Sequence, residues 1–228
     1  MIYENEEDKS KYKIEFLGEK FTKDLKVYKV IIVGIYGVGK TSIIHKLMNK
    51  EVDEEYEATI SVDIKNIQVK VNDKIMQIQI WDTCGNDKFA EKLPNLFKNV
   101  SIAIIVYAIN DKEKSFKNLS NWYNLVKGYS IDSTIFLIGN KSDLKREVSK
   151  EDVEAFKNSY DDNIKIFFET SALNGENIDK LLEKIAISIY KKNLDDENKF
   201  DNAIKGGIIL NREDFTKKAK KKKKKKFC

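Results

Sequence analysis

Apolar residues in this chain gather into short runs separated by charged stretches, and the runs have the length of strands. Val27-Tyr28-Lys29-Val30-Ile31-Ile32-Val33, Ile102 to Ile109, Thr134-Ile135-Phe136-Leu137-Ile138 and Ile164-Lys165-Ile166-Phe167-Phe168 are nearly continuous, as expected where helices cover both faces of a sheet. Ser61 to Val71 and Ile75 to Trp81 alternate instead, and the intervening Asn72-Asp73 reads as a hairpin turn. Helical spacing joins Phe116, Leu119, Trp122, Tyr123 and Val126, then Val153 and Phe156, then Ile178, Leu181, Leu182, Ile185 and Ile189. Strand and helix alternate. The pattern predicts an α/β domain over residues 27–192, with a mostly parallel six-stranded sheet, one antiparallel edge pair and helices on both faces.

The flanks read differently. Residues 1–26 are charged, with Ile14, Phe16, Leu17 and Phe21 at no steady period, and the expectation is a partly disordered extension. Residues 193–228 read as a flexible polybasic tail ending in Phe227-Cys228. Nine lysines between Lys217 and Lys226 supply more than the whole net charge of +5, so the remainder carries −4. A mildly acidic body argues against general nucleic-acid binding. The cysteines Cys84 and Cys228 suggest no disulfide framework, and that usage fits a reducing compartment. The N-terminus is acidic where a signal peptide would be basic and then apolar, and no apolar run approaches the roughly 18 residues of a membrane span. The acidic run Glu51 to Glu57 reads equally as a solvated loop or as a surface met by a partner.

Chemistry enters at Gly34-Ile35-Tyr36-Gly37-Val38-Gly39-Lys40-Thr41, between the first strand and a helix over Thr41 to Met48. A Gly-x-x-x-x-Gly-Lys-Thr segment in that context lets backbone N–H groups curl around polyphosphate. Lys40 reaches the terminal phosphates as a point charge, and the Thr41 hydroxyl can ligate Mg²⁺. A strand ending in Trp81-Asp82-Thr83-Cys84-Gly85 offers Asp82 to hold hydrated Mg²⁺ from the opposite side and Gly85 to approach the third phosphate. Thr59, just past the acidic run, could complete the Mg²⁺ shell when that phosphate is present. Farther on, Asn140-Lys141-Ser142-Asp143 follows a strand at the carboxyl end of the sheet, where α/β folds bind ligands. The Asp143 carboxylate can accept from guanine N1–H and the exocyclic N2, a donor pair adenine lacks. Ala172, in Glu169-Thr170-Ser171-Ala172-Leu173, could donate its N–H to guanine O6. His45 and Cys84 read as structural side chains.

With these residues together, the chain over about 27–192 resembles a Ras-superfamily small GTPase, most of all the Rab group. The Rab likeness rests on Thr59-Ile60-Ser61-Val62-Asp63-Ile64, Trp81 to Gly85, Ser115-Phe116 with Trp122, and Asn140 to Asp143. The resemblance implies a P-loop fold binding GTP or GDP with Mg²⁺, the phosphates cradled by Ile35 to Thr41 with Ser42, and Mg²⁺ on Thr41, Thr59 and Asp82. It implies guanine contacts from Asn140, Lys141, Asp143, Ser171, Ala172 and Leu173, a nucleotide contact from Tyr56, and two switch segments. Exchange factor, GTPase-activating protein and effectors would engage residues 51–64 and 85–97 of a monomer. Lys40, Gly85 and Asn86 would serve hydrolysis. Asn86 stands where the family usually has glutamine, and Tyr36 stands where it prefers glycine or serine. Both departures predict slow turnover, or at the extreme a GTP-locked effector-binding module with none. The lysine run beside Cys228 points to prenylation by a transferase that acts on C-terminal cysteines, to an escort protein, and to an anionic membrane on its cytoplasmic face. A Cys-a-a-X box is absent.

Overall fold

The computed structural model describes residues 11–48, 62–85, 94–160 and 163–205. The chain divides into two compact units, Met1–Ile187 and Ser188–Cys228. In the first unit, strands β1 (Ile14–Glu19), β2 (Val27–Val33), β3 (Asp63–Val71), β4 (Lys74–Asp82), β5 (Val100–Ala108), β6 (Thr134–Asn140) and β7 (Ile164–Thr170) form one sheet in the order β1-β3-β4-β2-β5-β6-β7. Helices α1 (Lys40–Leu47), α2 (Leu119–Tyr129), α3 (Lys150–Asn158) and α4 (Ile178–Lys205) connect or follow them. The α/β, mostly parallel architecture is the expected one. Seven strands stand where six were expected, because residues inside the N-terminal extension pair with the sheet.

That extra strand explains why its segment looked irregular. Ile14 and Phe16 lie opposite Val71 and Val69 of β3 in antiparallel register, but the register shifts between Phe16 and Gly18. Leu17 is the extra residue of a bulge, and Gly18 at φ 89° takes the left-handed conformation a bulge asks of glycine. A bulge destroys the two-residue period by which a strand is recognised. The Asn72-Asp73 hairpin is as expected, with Asn72 at φ 53° joining β3 to β4.

β2 is flanked by β4 on one side and β5 on the other, both parallel to it. Chain order reverses there, and such a switch point opens a crevice at the carboxyl end of the strand. One face of the sheet packs Ile31, Val33, Tyr107 and Leu137 against Phe97 and against Trp122 and Val126 of α2 and Val153 of α3. Ile43, Ile44 and Leu47 of α1, and Ile178, Leu181 and Ile185 of α4, are also fully buried. Burying such a side chain stabilises the fold by about 1.5–3 kcal/mol, so the helices fix the carboxyl-end loops firmly. Ser149 opens α3 with a capping box: its hydroxyl accepts from Asp152 N–H, and the Asp152 carboxylate accepts from Ser149 N–H.

The first residues of the expected flexible tail, 193–205, are helical, and the rest of it lies outside the described residues. Helix α4 continues unbroken through residue 205. Apolar periodicity fades there, but the helix-forming side chains persist and Asn193 Nδ2 donates to Glu197 Oε1, one turn on, at 3.1 Å. No described helix is long and apolar enough to cross a membrane.

Candidate functional site

The crevice at the end of β2 holds the glycine-rich loop, and a small pocket there is lined by Tyr36, Gly37, Gly39, Lys40, Thr41, Ser42 and Gly85. Gly39, at φ 92°, caps α1, so the first free N–H groups of that helix face the pocket with its positive dipole end. A Cβ on Gly39 would sit 2.3 Å from Asn140 Nδ2, so only glycine lets the loop close on the fourth parallel strand's end. The loop also folds over its own lysine. Lys40 Nζ donates to the carbonyls of Gly34 and Ile35 at 2.9 and 3.0 Å. Gly85 approaches from β4 so closely that its carbonyl accepts from Tyr36 N–H at 3.1 Å, with no room for a Cβ between them. The Tyr36 side chain stays 58% exposed at the pocket mouth.

Burial and mutual charge shift the ionisable groups that line the pocket. Burial lowers Lys40 to a pKa of about 8, against the opposing pull of Asp82 and Cys84. Burial likewise raises Asp82 above its ordinary value, although the Thr41 hydrogen bond and Lys40 both act to lower it. Thr41 Oγ1 donates to Asp82 Oδ2 at 2.6 Å, while Asp82 Oδ1 is buried without a hydrogen-bond partner. A free carboxylate oxygen beside a hydroxyl is the hard-oxygen donor set that Mg²⁺ takes, so these residues fit that ion.

Across the crevice, the loops after β6 and β7 meet. Ser171 Oγ donates to Oδ1 of the exposed Asp143 carboxylate. Lys141 stands at φ 68°, a left-handed conformation that costs roughly 1–2 kcal/mol and turns the chain sharply out of β6. Asn140 ties three parts of the site together. Its Nδ2 donates to Val38 O at 2.8 Å, and its Oδ1 accepts from Thr170 Oγ1 at 3.1 Å and Ala172 N–H at 3.2 Å. Three of the four bonds that amide can make bridge the phosphate loop, β7 and the loop after it. Ala172 N–H, expected to point at a ligand carbonyl, points at Asn140 here. Leu173 and Leu144 are both exposed at this end, 57% and 44%. Tyr56, Thr59, Asn86 and Cys228 lie outside the described residues, as do most of the two expected switches and the lysine run.

A family model described as the Ras family matches residues 29–191. The Ras-related protein Rab-11C of Dictyostelium discoideum is 35% identical over 167 residues, covering 72% of this chain and 73% of that protein. This chain belongs to the Ras family. It is a small GTPase of the Rab type, and its activity is hydrolysis of GTP to GDP and phosphate.

Three supports of this Ras-family site were not singled out from the sequence. Thr170 is fully buried and fixes Asn140. Thr83 Oγ1 donates to Ile32 O at 2.8 Å, tying the end of β4 to β2 beside the phosphate loop. Arg146 holds Glu169 through both guanidinium nitrogens at 2.8 and 2.6 Å, bracing the loop after β6 against β7. Each lies within three positions of a motif residue, and only the fold reveals which partner each one meets. Cys84 is buried, as expected of a structural thiol.

Proposed function

We propose that the pocket binds GDP and GTP with Mg²⁺, that Asp143 selects guanine, and that the chain works as a Rab-type switch with slow intrinsic turnover. The observation that carries the reading is the Asp143 carboxylate, steadied by Ser171, in one rigid frame with the phosphate loop through Asn140. In this reading Lys40 and the α1 N-terminus neutralise the phosphates, and Ser42 adds a polar contact beside them. Lys141, Ala172 and Leu173 shape the base slot, and Tyr56 contacts the nucleotide. Thr41, Asp82 and Thr59 hold the ion, which when bound supplies charge neutralisation between the phosphates. Gly85 brings a backbone N–H to the third phosphate, and Asn86 orients the attacking water less well than the longer glutamine.

Competition of GDP, GTP and ADP for the purified, Mg²⁺-supplied chain tests the base reading; equal affinities for the guanine and adenine nucleotides would overturn it. For turnover, single-turnover hydrolysis is expected to speed up in Asn86→Gln, and a rate equal to the parent's would remove Asn86 as the cause. An exposed Tyr36 beside the pocket favours a second reading, a GTP-locked module whose mouth is crowded against an incoming arginine. GTP without GDP in protein purified from cells would support it.

Residues 51–64 and 85–97 meet exchange factor, GTPase-activating protein and effectors in this proposal, and the chain acts as a monomer. Its polybasic tail and a prenyl group on Cys228, delivered by transferase and escort protein, hold it peripherally on the cytoplasmic face of a membrane in vesicle traffic. Mass spectrometry of Cys228 from native membranes decides the anchor, and an unmodified thiol rules it out.

A further inference from the structure

The outermost place in the sheet, beside β3, is taken by β1, and nothing in the nucleotide site uses it. A bare β3 would offer a row of unpaired N–H and C=O groups, the kind of edge on which another chain pairs. Here the chain's own arm fills that edge. Lys20 N–H donates to Asn66 O at 3.1 Å at one end, and Asn72 N–H donates to Lys13 O at 2.8 Å at the other. Lys13 N–H returns a bond to Asn72 Oδ1 at 3.0 Å. Between these ties Ile14 and Phe16 sit opposite Val71 and Val69.

Past the strand, residues 20–26 cross over β3 and β4 to reach β2. The crossing is three inter-strand steps, about 14 Å. On the way Thr22 meets two glutamines that are 3% and 0% exposed, Gln68 and Gln77. Gln77 Oε1 accepts from Thr22 N–H at 2.6 Å, Gln68 Nε2 donates to Thr22 Oγ1 at 2.9 Å, and the two amides lie 3.3 Å apart. Buried amides cost free energy unless a partner satisfies them. The arm partners Gln77 Oε1 and Gln68 Nε2, while Gln77 Nε2 stays buried without a hydrogen-bond partner. Edge, apolar pair and polar pair together form a receptor for an extended segment.

We propose that the β3 edge with Gln68 and Gln77 is a strand-receiving site. Residues 13–22 close it in cis, and when that arm lifts it accepts an extended protein segment antiparallel to β3. That segment carries apolar side chains two residues apart and a hydroxyl residue six beyond the second, the pattern of Ile14, Phe16 and Thr22. The arm suits exchange: one short strand with half-exposed side chains, joined through an exposed turn at Lys23 and Asp24.

The test uses the full chain with a protease recognition sequence inserted between Lys23 and Asp24. After cutting, the arm stays with the body on gel filtration, and an excess of labelled peptide of residues 11–23 replaces it. Uncut protein takes up that peptide on the order of a hundredfold less well at micromolar concentration, because the tethered arm has an effective concentration near millimolar. A peptide carrying Ile14→Asp and Phe16→Asp does not bind the cut chain. Release of the arm without rebinding or replacement, from a body that still melts cooperatively, overturns the proposal, as does equal uptake by cut and uncut chains. No nucleotide enters the readout, so its failure leaves the switch reading intact.

Discussion

Replacing Asn140 by alanine measures how much its amide holds together. The amide makes three hydrogen bonds, to Val38 O, from Thr170 Oγ1 and from Ala172 N–H. Those partners belong to residues no more than 5% exposed, so Asn140→Ala strands buried polar groups at about 1–3 kcal/mol each. Partial entry of water lowers the total to about 3–5 kcal/mol, a large part of the roughly 5–15 kcal/mol that holds a domain folded. Urea unfolding should show that loss, and GDP affinity should fall by about two to three orders of magnitude as the phosphate loop loses its tie. Inosine diphosphate, which lacks only the exocyclic N2, isolates the Asp143 contact. Asn140→Ala should weaken GDP and inosine diphosphate by the same factor, because the N2 contact belongs to Asp143. Asp143→Ala should erase the difference between them, about 10- to 100-fold for a charge-assisted bond. If Asn140→Ala erases it too, or if unfolding changes by less than about 1 kcal/mol, the strut argument is wrong.

Two further predictions concern the phosphate loop. Lys40 has a pKa near 8 in the free protein against an ordinary 10.5, and bound phosphates must raise it, so binding takes up a proton above pH 8. GDP affinity should therefore be flat in this group's contribution below pH 8 and fall by up to about tenfold per pH unit above it; calorimetry in buffers of different ionisation enthalpy at pH 8.5 counts the proton, and none taken up would refute the assignment. Gly39→Ala, forced to φ 92° with its Cβ 2.3 Å from Asn140 Nδ2, should lower stability by at least about 1–2 kcal/mol, seen as a fall in the urea midpoint, and should weaken nucleotide binding with it.

How much of this was readable beforehand follows from how local each cause is. The phosphate loop, Asp82 and Asn140 to Asp143 are legible because consecutive residues at a strand end carry the chemistry, and the structure gathers Lys40, Thr41 and Asp82 as anticipated. The role of Asn140 was not legible, because its partners Val38 and Thr170 are distant in sequence and any of its bonds could equally go to a ligand. β1 escaped notice because Leu17 in the bulge breaks alternation, and because Thr22 meets Gln68 and Gln77 only 46 and 55 residues farther along the chain. The end of α4 was placed too early because apolar spacing marks only where a helix packs, and its continuation rests on helix-forming side chains and contacts such as Asn193 to Glu197.

The bridge from Val38 to Asn140 spans 102 positions, and its third member, Thr170, comes later still. At about 5–20 residues per second, a ribosome needs roughly 5–20 s to travel from one end of that span to the other. A nascent chain thus exposes a glycine-rich loop whose backing does not yet exist, and its grip on cellular nucleotide must wait until the seventh strand has cleared the exit tunnel. Loading is in this sense a late event, timed by the order in which the polypeptide is made.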